Sequence, residues 1–338
     1  MAANKRKVFF MRRLVGLVLV AAVLYGGYWV VGSRATLAGV RQALAQMKAE
    51  GLADYADVSI RGFPSRFDLT IDQPRFRSAD GLTEWVAPFA QIFALSYRPN
   101  HIIAVLPQQQ TLTLAGAPLQ VTSDDMRGSA VFGASTMLPL DHAQTVAKEV
   151  IVTGPSDGFA LTELRAAVRT ADTAQNSYDI AAEVSGLSPT GEAQPIWALV
   201  AGDAAAKGWL KAETTATFDR PLDRQAAEAG VRMTGLQVSN LQASYGQFQL
   251  RGTGALTVTL AGVPEGKIDL EVRGWQGLPQ VMVETGLIKP EVAPTVAKML
   301  EALAVGSGSS DGTLRLPLTM TDGRMALGPI PLGPAPQF

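Results

Sequence analysis

Cysteine is absent and histidine occurs only twice, so acid–base or nucleophilic chemistry would have to be built around His101 and His142. Gly133-Ala-Ser135-Thr-Met137 opens like a nucleophile elbow, the G-x-S-x-G turn that lifts a serine clear of a sheet, and breaks the pattern at its last position. That serine would also need a base, and each histidine lies in a segment without the carboxylate signature of a catalytic pair. A phosphate cradle fares no better. Gly262-Val-Pro-Glu-Gly266-Lys267 is one residue short of G-x-x-x-x-G-K and continues into Ile268, which omits the hydroxyl that would hold magnesium. Gly252-Thr-Gly254 lacks the third glycine of a dinucleotide fingerprint and reads as a tight turn between strands. As metal donors the chain offers carboxylates such as Asp124 and Asp125, which read as loop solvation. Paired carboxylates for glycoside hydrolysis have no spacing signature to look for. The residues thus assign no catalytic, cofactor-binding or metal-binding role. The chain is expected to work without a cofactor and not as an enzyme. Its 29 basic and 30 acidic residues make no cationic field for a phosphate backbone, so nucleic acid is not an expected partner.

The elements that would position any site begin with an uncharged run, Leu14 to Val31. As a helix, about 18 residues at about 1.5 Å each reach about 27 Å, close to the thickness of a bilayer's hydrocarbon core. Leu14, Leu17, Leu19 and Val23 would face lipid, and Tyr25, Tyr28 and Trp29 would form an aromatic belt at the outer end. Lys5, Arg6, Lys7, Arg12 and Arg13 resist translocation, so residues 1–13 are expected in the cytoplasm and 35–338 in the periplasm, on a single-pass inner-membrane protein. A cleaved signal peptide would export the same domain, but Ser33-Arg34-Ala35 fits its cleavage site poorly.

Behind the run, Leu37, Val40, Leu44 and Met47 fall on one face of a short amphipathic helix that Gly51 would end. The hydrophobic period then changes from helical to two. Phe67, Leu69 and Ile71 alternate with Arg66, Asp68, Thr70 and Asp72, after a turn at Gly62-Phe63-Pro64. Similar alternation predicts a strand over Trp85–Tyr97, where Phe89, Ile92 and Phe93 could also share a helical face, short strands broken at Pro107 and at Ala115-Gly116, a strand over Ala160–Arg169, whose Leu161, Leu164 and Val168 would also suit a helix, and a strand over Tyr178–Val184. A helical turn is predicted over Leu222–Ala229, and a hairpin within Leu236–Arg273 that includes Leu256, Val258 and Leu260. Helix is predicted between Pro279 and Ala304, split at Pro290 and Pro294, then a flexible connector over 306–310. Strands through Leu314, Leu316, Leu318 and Met320 and through Met325 and Leu327 follow, with a polyproline-like tail from Pro329. The fold class is mainly β (α+β): a transmembrane helix, then a large curved antiparallel sheet with a few short helices. The length allows two similar halves, about 52–190 and 191–338.

Arg61-Gly62-Phe63-Pro64-Ser65-Arg66-Phe67, Asp219-Arg220-Pro221-Leu222-Asp223, Gly262-Val-Pro-Glu-Gly266 and the closing Gly328-Pro329-Ile330-Pro331-Leu332 carry a resemblance. The chain resembles domain-of-unknown-function family twenty-one twenty-five of the alphaproteobacteria, membrane-anchored envelope proteins, over nearly its whole length, anchor included. That family has no established activity, so the resemblance implies a location and a fold and no reaction. In its anchor, its glycine-punctuated strands and the closing pattern from Asp322-Gly323 onward the chain is also similar to AsmA-like inner-membrane proteins. That similarity implies outer-membrane assembly and lipid movement.

A sheet with one apolar face must cover it. Phe67, Leu69, Ile71, Leu256, Val258, Leu260, Leu314, Leu316 and Leu318 are the expected members of that face. Two readings follow. In the first they line a groove for lipid acyl chains; in the second they close a sandwich-like core, and the protein is a scaffold that recruits envelope proteins through an edge strand. The expected partners are the bilayer, then lipid chains or envelope proteins.

Overall fold

The computed structural model describes residues 2–306 and 312–337. Most of the expected connector, residues 307–310, lies outside the described residues. The chain forms two compact units, Met1–Pro107 with Leu112–Gly116, and Gln108–Thr111 with Ala117–Phe338.

The first unit opens with α1, an unbroken 48-residue helix from Ala2 to Ala49. The expected span and the expected short helix behind it are therefore one element. Nothing in the run interrupts it: there is no proline, and Gly26 and Gly27 each weaken a helix by only about 1 kcal/mol relative to alanine. The helix ends where Gly51 takes a left-handed φ of 75°, with Gly51 N donating to Lys48 O and Leu52 N to Met47 O. Seven strands follow: β1 (Ala53–Asp54), β2 (Asp57–Arg61), β3 (Arg66–Asp72), β4 (Arg75–Arg77), β5 (Thr83–Val86), β6 (Phe89–Leu95) and β7 (Arg98–Val105). The expected strand over Trp85–Tyr97 is two strands, β5 and β6, parted at Ala87-Pro88, because Pro88 has no N–H for a ladder. Antiparallel ladders join β2–β3–β6–β7 and β1–β4–β5. Leu44 of α1 is buried with Val58, Leu69 and Ile71, and Leu37, Val40 and Met47 pack around them. The amphipathic half of α1 thus spends its apolar stripe on its own sheet.

After β8 (Gln109–Leu114), the second unit contains β9 (Ala117–Thr122), β10 (Asp125–Phe132), β11 (Leu140–Thr153), β12 (Asp157–Thr170), β13 (Ser177–Gly191) and β14 (Gly208–Phe218). It continues with β15 (Met233–Tyr245), β16 (Phe248–Val258), β17 (Pro264–Arg273), β18 (Leu314–Thr321), β19 (Arg324–Leu327) and β20 (Ile330–Pro334). From β10 to β20 every strand pairs antiparallel with the next in sequence, a long meander. Four helices sit in its connections: α2 (Gln194–Ala201), α3 (Arg224–Ala229), α4 (Leu278–Glu284) and α5 (Ala293–Gly306).

Three expectations change here. Gly252-Thr-Gly254 lies inside β16 and makes no turn; a Cβ on Gly254 would collide with Lys267 O and Ile268 Cα of β17, so glycine is what allows the two backbones to meet. Strand β16 stops at Val258, and Leu260 sits in the turn that Thr259 closes by donating N–H to Val263 O. The tail is a strand, β20, paired with β19; Pro331 and Pro334 are tolerated there because the last strand of a meander has a side that needs no donors.

Candidate functional site

Of the nine apolar residues expected on one face, three fall in the first unit and six in the second. Phe67, Leu69 and Ile71 belong to the first unit and are buried against α1, Leu69 and Ile71 with Leu44 and Phe67 beside Gly32 and Trp29. In the second unit Leu256 and Leu318 pack in a cluster with Val238, Ile268 and Met320, while Val258 is half-buried at the end of β16. Leu314 and Leu316 are 1% and 4% exposed, covered by Val296, Leu300 and Ala304 of α5. Leu260 is 84% exposed.

A half-buried part of the apolar face, outside the buried clusters, lies on strands that sequence reading left out of the site. Register places Thr145, Ala166, Ala182, Ala212 and Leu241 in one row across β11–β15. Two residues along each strand in either direction, larger side chains flank this row: Leu164, Val184 and Leu210 on one side, Val168 and Ile180 on the other. Ala166, Val168, Ile180, Ala182, Leu210 and Ala212 are half-buried and belong to none of the buried clusters, which lie toward β11 around Val150 and Leu161 and toward β17 around Leu256 and Ile268. The strand ends are closed. Near α3, Leu222 N donates to the Tyr178 hydroxyl at 2.8 Å; at α2, Trp197 meets Tyr245 edge-on at 5.7 Å. The missed signal was a run of alanines, Ala166, Ala182 and Ala212, whose small size gives little hydrophobic contrast along a single strand.

The opposite face of the same strands is ionic. Arg165, Glu183, Lys211 and Gln242 stand in one cross-strand row, and Arg169, Asp179 and Thr215 in another. A concavity of about 630 Å³ lies here, floored by Ala167 and Ala181 and edged by His142, Gln144, Arg169, Asp179, Glu213 and Ser239. Its charges are already paired. Arg169 lies 3.2 Å from Asp179, whose other oxygen accepts from the Thr215 hydroxyl at 2.9 Å. Hydrogen bonds from Lys211 and Asn240 hold the Glu213 carboxyl below the usual carboxylate range, and Glu213 and Glu183 raise the Lys211 ammonium. A carboxylate kept ionised in this way has no proton to give near neutral pH. His142 does have a carboxylate beside it, that of its neighbour Asp141 at 3.0 Å, and the Ser239 hydroxyl donates to the Glu213 backbone carbonyl. His101 lies on β7, and Asp125 lies on β10 paired with Arg127 at 3.3 Å, not in a loop. Among the described residues no group of three or more histidine, aspartate or glutamate side chains converges on a metal position.

The third surface is the outside of α1. This helix is long and apolar enough to cross a membrane, and Leu14, Leu17, Leu19 and Val23 on it are exposed. The three aromatic residues behind them are tied down. The Tyr25 hydroxyl is 2.7 Å from Ser96 Oγ, the Tyr28 hydroxyl donates to Ser96 O, and Trp29 Nε1 donates to Arg66 O.

Fold and surfaces define a class: an antiparallel β-meander protein carried behind one long apolar helix. The family described as "Uncharacterized protein conserved in bacteria (DUF2125)" matches residues 29–336, and the chain belongs to it. The match starts at Trp29, so most of the apolar run precedes the part that carries the family likeness. No curated protein matches the chain.

Proposed function

We propose that the chain is a single-pass inner-membrane protein, N-terminus in the cytoplasm, whose periplasmic β-sheet holds a lipid acyl chain along the alanine row of β12–β14. That row carries the reading. Neighbouring same-face rows are about 7 Å apart, so the alanines floor a channel between two ridges of larger side chains, and the two strand spacings of about 4.8 Å from β12 to β14 give that floor a length of about 10 Å. This suits a segment of one extended hydrocarbon chain. Leaving such a surface wet is unfavourable by about 25 cal/mol per Å², which a bound chain would relieve. The cationic residues before Leu14 support the orientation, and the apolar lining of the row supports lipid as the occupant.

The scaffolding reading finds less support. Recruitment by strand addition needs free donors on a sheet edge, and the last strand of the meander, β20, spends two of its five positions on Pro331 and Pro334. The test uses the full chain extracted in mild detergent. By native mass spectrometry it should carry phospholipid that the Ala182→Asp chain lacks. A wild-type chain that carries no lipid and takes up no fluorescent acyl probe overturns the reading.

A further inference from the structure

Two hairpin tips of the first unit meet α1 at its aromatic residues. The β2–β3 turn carries Phe63, whose ring lies edge-on to Trp29 at 5.3 Å and beside Gly26, where a Cβ would be 3.7 Å away. The β6–β7 turn carries Ser96 and Tyr97. Ser96 is 0% exposed; it takes the bonds from Tyr25 and Tyr28, donates its N–H to Ser65 O and reaches Pro64 O through its hydroxyl. The two tips are thus fastened to each other and to one level of the helix.

That level is inside the apolar run. Gly26 precedes the end of the run at Val31 by five residues, about 7.5 Å of helix. Yet Phe63 and Tyr97, at the tips, are 62% and 63% exposed, although large aromatic rings normally seek cover. Arg61 and Arg98 beside them and Arg34 on the next turns of α1 are also exposed. A pair of exposed aromatics ringed by arginines, held at the depth where a span leaves the hydrocarbon, matches the chemistry of the headgroup layer: rings at the interface, guanidinium groups on phosphate.

We infer that the two hairpin tips are a second membrane contact, in which Phe63 and Tyr97 enter the headgroup layer of the bilayer that α1 crosses and Arg61 and Arg98 reach lipid phosphate. This rests on the reading of α1 as a span. It makes the first unit a collar seated on the membrane surface, so α1 cannot swing freely relative to its own sheet.

The absence of native cysteine allows single-site labelling of the full chain. Phe63→Cys and Ser65→Cys, the second of which keeps the Phe63 ring, are labelled with a fluorophore in vesicles of phosphatidylcholine and phosphatidylglycerol, as are Val20→Cys in mid-span and Gln249→Cys on β16. Labels at 63 and 65 should lose emission to lipids with a nitroxide near the headgroup and be shielded from aqueous iodide. The label at 20 should respond to a nitroxide near the chain end, and the label at 249 to iodide alone. If 63 and 65 behave like 249 while 20 is quenched by lipid, the tips stand in water and the inference is overturned with the span intact. If 20 itself is open to iodide and blind to lipid, the span fails and takes the inference with it.

Discussion

Leu314 and Leu316 on β18 and Ile180 and Ala182 on β13 are written in the same period-two code, yet they have opposite surroundings. Over the first pair lies α5, which buries Val296, Leu300 and Ala304 against them, while Trp275 locks the adjoining turn by donating Nε1–H to Gly312 O at 3.0 Å. Over the second pair no helix lies in any buried cluster, and the side chains stay half-buried. Alternation therefore tells which face is apolar but not whether the face is closed. The difference also separates two kinds of residue: those whose loss unfolds the second unit and those whose loss would only empty a surface.

The sharpest break in this contrast is a charge under α5. Leu314→Asp should abolish cooperative unfolding of the second unit in detergent melts, since an unpaired buried carboxylate has no partner there, whereas Leu314→Ala should lower stability by about 3 kcal/mol. Ala182→Asp should leave the same melt within about 1 kcal/mol of wild type while removing co-purifying lipid. If it unfolds the unit as Leu314→Asp does, the face is closed and the contrast disappears. Trp275→Phe deletes one hydrogen bond and trades the indole for a smaller phenyl ring at the closed end, so chemical denaturation should read a loss of about 2 kcal/mol.

The smallest effect concerns the loop that carries α3 and closes one end of the open face. Asp219 accepts from Arg232 N at 3.1 Å and from its guanidinium, and these bonds hold its carboxyl below the usual carboxylate range. A lowered folded-state pKa stabilises above the unfolded value, near 4, and its contribution is lost as the pH falls through the folded value. Melting temperatures of wild type and Asp219→Asn should therefore differ at neutral pH and converge in acid. Curves that stay parallel down to the lowest pH would show that the pair does not hold the loop.

Much of this architecture is legible along the chain. The hairpin at Gly62-Phe63-Pro64, the strand breaks at Pro107 and Ala115-Gly116, the stop at Gly230 and the split near Pro290 all appear where turn and cap chemistry puts them. Helix α2 is not legible in the sequence, although Pro195 stands in its first turn and Gly202 ends it at a φ of 72°, because eight residues are too few to show a helical period. The fusion of span and amphipathic helix into α1 was hidden for a related reason. Apolar composition changes at Val31, but the backbone needs only the absence of a breaker to continue.

The site was far less readable than the elements. Leucines and valines announced Leu256, Leu314 and Leu316, and strong apolar character is what draws a covering helix; the quieter alanines of β12, β13 and β14 were left open. Strand alternation, the apolar run and the turn positions are local, set by which way each Cβ points and which φ a residue allows, and so they can be read from neighbours in the chain. Which stretch of the apolar face is roofed is not local. It depends on α5 folding back on β18 across a connection, and on the meander bringing Ala166, Ala182 and Ala212 into one row from three separate strands. No window of sequence contains that row.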